Sequence, residues 1–154
     1  MSFLEVTDVT VRFTVGSRLA ARIKGEKPPI LTAVDGISFE AERGESIGIV
    51  GESGCGKSTL AKAITGLVPV ASGSISLDGR ELAGKRDQAL RRRIQMVFQD
   101  PSSSLNPSLT VEKMLSELLR VHQVVPRDEI ADRCAELMDL VELPQSLLEA
   151  LPRR

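Results

Sequence analysis

The sequence predicts an α/β fold, and three observations carry that expectation. A short apolar run bounded by glycines, SIGIV (Ser46 to Val50), leads directly into GESGCGKST and then into LAKAITGL, a segment of helical composition. Alternating segments before and after this unit read as strands. Beyond residue 100 the chain turns to helical spacing throughout.

Each element follows from its residues. Phe3 to Phe13 alternate as a strand, and GSRLAARIKGEKPPI, closed by Pro28 and Pro29, reads as a basic loop. Gly36 to Glu40 form a second strand of the same sheet, and Arg43-Gly44-Glu45 turns into SIGIV, a buried strand by composition. The helix after the glycine-rich stretch stops at Gly66 and Pro69. Ser74 to Leu77 is a strand ending in an Asp78-Gly79 turn, Lys85 to Arg93 a short basic helix, and Ile94 to Phe98 a further strand. PSSSLNPS is a turn-rich linker. After it, Val111, Met114, Leu115, Leu118 and Leu119 share one helical face, as do Ile130, Cys134, Leu137, Met138 and Val141, and both stripes are expected to be core seams.

Composition narrows the function. The 154 residues are 42% hydrophobic and 27% charged, an ordinary globular balance with room for a core. Twenty basic against twenty-one acidic residues give a net charge of −1, so no nucleic-acid partner is expected. Cys55 and Cys134 stand apart from any spaced Cys/His cluster, which argues against zinc and suits a reducing compartment. No run approaches the roughly 18 to 20 apolar residues of a membrane span, and the start lacks a signal-peptide layout. Any membrane contact is therefore expected through a partner. With Trp and Tyr absent, an aromatic face can come only from Phe3, Phe13, Phe39 or Phe98.

The chemistry concentrates in Gly51, Glu52, Ser53, Gly54, Cys55, Gly56, Lys57 and Ser58, which satisfy G-x-x-x-x-G-K-[ST] between a strand and a helix, with Thr59 next. Glycines let the backbone wrap phosphate oxygens with its N–H groups, and the helix turns its positive end toward them. Hydrogen bonds to a charged group contribute about 1.5 to 3 kcal/mol each, against about 0.3 to 1 for a helix end. The amides therefore outweigh the dipole. Lys57 would reach the β and γ phosphates and Ser58 would ligate magnesium. Cys55 is either a reactive thiol at a helix N-terminus or the small side chain the loop requires. Arg91, Arg92 and Arg93 read as a solvated helix end, and Arg18, Arg22, Lys24 and Lys27 as a solvated loop or a lipid-headgroup contact.

Two longer stretches identify a family. GESGCGKSTLAKAITGLVPVASGSISLDGREL resembles the first half of the nucleotide-binding subunit of an ATP-binding cassette (ABC) transporter, and RRRIQMVFQDPSSSLNP is similar to the Q-loop region of its peptide and nickel importer group. The resemblance implies a P-loop NTPase core with an N-terminal antiparallel β part and the start of a helical subdomain. It places a nucleotide-binding core at residues 1–100 and a partial helical subdomain at 101–154. It implies ATP and Mg2+ as ligands, Gln99 as a magnesium ligand that approaches the attacking water, and Phe13 as the adenine stack, where the family more often has Tyr. It also implies a second ATPase subunit, permease subunits, a solute-binding protein acting indirectly, and a place at the cytoplasmic face of the membrane. On spacing alone Gln99 is equally a polar strand end, and Phe13 equally a core residue.

Hydrolysis needs a carboxylate after an apolar strand. Asp100 follows a segment interrupted by two glutamines that matches the Q-loop, and Asp139 and Glu142 lie in a helical pattern. His122 comes too early to be the family's switch histidine. By the resemblance, the LSGGQ signature, the Walker B strand with its catalytic glutamate, and the switch histidine would all follow Arg154. The expectation is a partial cassette that binds ATP without turnover, with Lys57 and Gln99 its only contributions to catalysis and with SIGIV left as an unpaired edge of low stability. The rival readings are another P-loop NTPase or kinase, and a truncated, non-catalytic binding module.

Overall fold

The computed structural model describes residues 2–16, 25, 27–82, 84, 87–100 and 105–152, in two compact units, Met1–Met96 and Val97–Arg154. Most of the basic loop, including Arg18, Arg22 and Lys24, lies outside the described residues, as do 101–104 of the linker.

In the first unit, strands β1 (Leu4–Thr14) and β2 (Ile30–Ala41) pair antiparallel, from Leu4 opposite Ala41 to Thr14 opposite Ile30. The second strand is longer than its sequence pattern suggested, because pairing with β1 draws Ile30 to Asp35 into the ladder. Strand β3 (Ser72–Leu77) pairs with the other edge of β1 and returns as β4 (Arg80–Glu81), giving a sheet in the order β2-β1-β3-β4. Asp78 (φ 55°) and Gly79 (φ 72°) both adopt the left-handed conformation that a two-residue hairpin demands. Helix α1 (Lys57–Ile64) lays Leu60 and Ala63 on the sheet, where they join Val6, Val9, Val11, Val34, Ile75 and Leu77 in the core.

Two expected strands are absent from the ladders. Residues 46–50 and 94–98 join no sheet among the described residues, and Val50 and Val97 are 92% and 91% exposed. A strand is completed by its neighbour's N–H and C=O groups, so an apolar extended run without a neighbour stays a bare segment. Within the first unit, Ile47, Ile49 and Ile94 line an apolar trough of about 410 Å³ together with Phe3, Phe39 and Ile64.

Helix α2 (Gln88–Arg93) begins at Asp87, whose carboxylate accepts from the Leu90 amide at 2.7 Å and from Arg80 at 2.7 Å. Those bonds, the Leu90 amide first and Arg80 second, hold the Asp87 carboxyl below the usual aspartate value. A lowered folded-state value means that the cap stabilises above the ordinary carboxylate range and is lost as pH falls through the lowered value. Protection of the Leu90 amide from exchange is therefore expected to fall as pH drops below about 4. Asp87→Asn, which can still cap, should remove that pH dependence; an unchanged profile in this variant would exclude Asp87 as its source.

The second unit contains helices α3 (Val111–Val121) and α4 (Ile130–Leu140), with 3-10 turns at Arg127–Glu129 and Gln145–Glu149. Thr110 caps α3 by accepting from the Lys113 amide, and Leu119, Cys134 and Met138 form the buried seam. Two residues of the expected stripes face solvent. Leu118 (57% exposed) lies about 100° around the helix from Leu119, off the Val111–Leu115–Leu119 line, and Val141 (59% exposed) follows the end of α4, where helical spacing no longer orients it. Among the described residues no helix is long and apolar enough to cross a membrane.

Candidate functional site

The glycine-rich stretch links the unpaired run 46–50 to α1. Gly54 (φ 84°) and Gly56 (φ 98°) both take left-handed backbone, which side chains with a Cβ disfavour. Gly56 is the N-cap of α1, and the first helical bond runs from the Leu60 amide to the Gly56 carbonyl at 2.9 Å. The amides of Gly56, Lys57, Ser58 and Thr59 thus have no acceptor within the helix. Among the described residues no side chain caps the helix start, so α1 offers these N–H groups outward, the arrangement that receives an anion.

The Lys57 ammonium folds back across the loop. It donates to the carbonyls of Gly51 at 2.8 Å and Glu52 at 2.6 Å and lies 3.5 Å from the Cys55 sulfur. Glu52, Ser53 and Cys55 are exposed along the loop, and the Cys55 amide reaches the Glu52 carbonyl at 3.4 Å. A cleft of about 640 Å³ opens beside Cys55, Gly56 and Lys57, walled by Thr32 to Asp35 of β2 and by Ile47 to Val50.

Magnesium suits this donor set only as a shared ligand. The Ser58 side chain is exposed and its hydroxyl unengaged among the described residues, where no group of three or more His, Cys, Asp or Glu side chains could hold a metal. A hard cation that keeps its waters and binds through phosphate oxygens fits one hydroxyl; a cation needing an all-protein cage does not.

Of the other candidate residues, Phe13 stands near the end of β1 opposite Leu31, 37% exposed and outside the lining of the loop-side cleft. Gln99 belongs to the second unit and is exposed after the unpaired run 94–98. Ala33 and Val34, which line the cleft beside Gly56, were not singled out by sequence. In one dimension they lie ahead of the expected strand at Gly36 to Glu40 and carry no motif, and only the folded chain brings them to the loop.

Comparisons with known proteins agree with this geometry. The ABC transporter family model matches residues 34–153. The chain is 40% identical over 153 residues to the oligopeptide transport ATP-binding protein OppF of Escherichia coli, covering 97% of this chain and 45% of that protein. It is 44% identical over 127 residues to a putative peptide import ATP-binding protein of Brucella abortus, covering 80% and 38% respectively. The chain thus spans less than half the length of these curated relatives. Among solved structures, an ATP-binding cassette in a dimeric post-hydrolysis state bound to ADP and Pi superposes with a TM-score of 0.72 at 22% identity, covering 97% of this chain and 61% of that one, which establishes the fold. A glycine-built loop opening onto the start of α1, on a chain whose residues 34–153 fit one family profile, has a single common explanation: this chain belongs to the ABC transporter family.

Proposed function

We propose that residues 51–59 bind the phosphates of ATP, and that the chain is nucleotide-binding sequence of a peptide-type ABC importer ATPase. The observation that carries this is the row of free amides from Gly56 to Thr59, with the Lys57 ammonium poised over the same loop. With nucleotide bound, Lys57 would exchange the Gly51 and Glu52 carbonyls for β- and γ-phosphate oxygens, and the Ser58 hydroxyl would be available to magnesium. The ion supplies charge neutralisation of the phosphates. By the family resemblance, Gln99 would serve as a magnesium ligand near the attacking water, and Phe13 would offer its ring to adenine.

In this reading residues 1–100 are the nucleotide-binding core and 101–154 belong to a helical subdomain. The relatives' printed roles in oligopeptide transport and peptide import support an importer, working with a second ATPase subunit and permease subunits at the cytoplasmic face of the membrane. A solute-binding protein would choose the cargo. No carboxylate in these 154 residues follows an apolar strand in the manner hydrolysis requires, so the chain by itself binds without turnover.

Calorimetric titration of the 154-residue chain with ATP and magnesium, paired with a phosphate-release assay, tests this. Saturable binding with no sustained release is expected. Absence of saturable binding would overturn the nucleotide reading, and sustained release abolished by Lys57→Ala would overturn the non-turnover claim.

A further inference from the structure

We propose that a β-bulge at Ala33 positions the phosphate loop, with Val34 as the positioning residue. The inference rests on the nucleotide reading of residues 51–59 and adds to it a part of the fold that no sequence motif marks.

The register of the β1–β2 ladder places the bulge. Val11 faces Val34 and Arg12 faces Thr32, so one step along β1 spans two along β2 and Ala33 is the additional residue. Such a residue drops out of the regular pairing, and the strand bends and re-aims its groups there. Here the re-aimed group meets Gly56. A Cβ built on Gly56 would fall 2.2 Å from the Ala33 carbonyl oxygen, 3.3 Å from its carbon and 3.4 Å from Cγ2 of Val34. Only a hydrogen fits, so the N-cap of α1 rests directly on the bulge.

Val34 joins the two sides of this contact. It is 6% exposed and lies in the same buried cluster as Leu60, a residue of the first turn of α1. The direction of the Gly56 to Thr59 amides is therefore set from beneath by β2 as well as by the loop's own glycines. Amides that converge on one anion lose that convergence when their support shifts by a fraction of an ångström. Truncating Val34 removes the methyls below Gly56 while leaving every loop residue in place.

The test compares three variants of the 154-residue chain by magnesium-ADP titration and thermal melting. Val34→Ala is expected to weaken nucleotide affinity about tenfold, as displaced positioning groups do. Val34→Thr keeps the branched shape but buries a hydroxyl, so its melting temperature should fall while affinity stays within about twofold of wild type. Val9→Ala truncates a fully buried valine of the same cluster that supplies none of the three atoms nearest a Cβ on Gly56, and should lower the melting temperature with affinity unchanged. Should Val34→Ala fail to fold, Val34→Cys, a smaller truncation, carries the same comparison.

Unchanged affinity in the truncated variant would overturn the positioning role. So would affinity that merely tracks melting temperature across all variants, because that is the signature of a purely structural residue. Wild-type chain without saturable binding would instead overturn the nucleotide reading, and the positioning role with it.

Discussion

Lys57→Ala is expected to lower the affinity of the chain for magnesium-ATP by about 100-fold or more. The ammonium would lose charge-assisted hydrogen bonds to two phosphates, each contributing about 1.5 to 3 kcal/mol, and tenfold in affinity corresponds to about 1.4 kcal/mol. Lys57 donates to the Gly51 and Glu52 carbonyls, bonds it exchanges for the phosphate contacts, so the expected loss lies toward the low end of that sum. Phe13→Ala provides the contrast. An aromatic stacking interaction contributes only about 0.5 to 1.5 kcal/mol, and Phe13 is 37% exposed at the end of its strand. Its loss should cost less than about tenfold. Titration of both variants decides the division of labour, and equal losses would contradict it.

Gly73→Ala should be the most destabilising single substitution at the glycines of the sheet. Gly73 has φ 84°, and a Cβ there would sit 2.2 Å from the Asp8 carbonyl oxygen, 2.5 Å from its carbon and 2.5 Å from the Thr7 oxygen. These are backbone atoms of the paired strand and cannot rotate away. The cause lies in β1, where Val6 faces Phe39 and Val9 faces Ile37, so an extra residue bulges at Thr7–Asp8, and Asp8 itself has φ 49°. The left-handed backbone costs a non-glycine residue about 1 to 2 kcal/mol and forced overpacking about 1 to 3 more. With denaturant slopes of about 1 to 3 kcal/mol/M, the urea midpoint should fall by about 1 M or more. Gly79→Ala is the control: its φ of 72° is similar, but nothing lies within 4 Å of the added methyl. It should show the backbone cost alone, and equal shifts in the two variants would mean that the strands part readily at Gly73.

Much of this molecule was legible in one dimension, for local reasons. The Asp78-Gly79 hairpin is written in two residues able to hold left-handed backbone, and they hold it. Helix α1 starts at Lys57, immediately after the glycines, as the motif's layout anticipates. The helical stripes were readable except at Leu118 and Val141, where the pattern ran off the buried line or past the helix end. SIGIV shows where such reading stops. Its residues have the composition of a buried strand, yet strand character is a relation between two segments, and no partner lies beside residues 46–50 among those described.

The candidate site divides in the same way. By itself the sequence determined that residues 51–58 form a glycine-built loop before a helix and that Lys57 and Ser58 stand at its end, because a phosphate cradle is made from consecutive backbone groups whose freedom depends on which positions are glycine; the ABC transporter family was legible in the resemblance of the two longer stretches around it. Only the tertiary structure decided what supports the cradle. The bulge at Ala33, the contact of its carbonyl with Gly56 and the valine beneath join residues more than twenty positions apart. Register and close packing create that contact, and neither leaves a periodic trace in the chain.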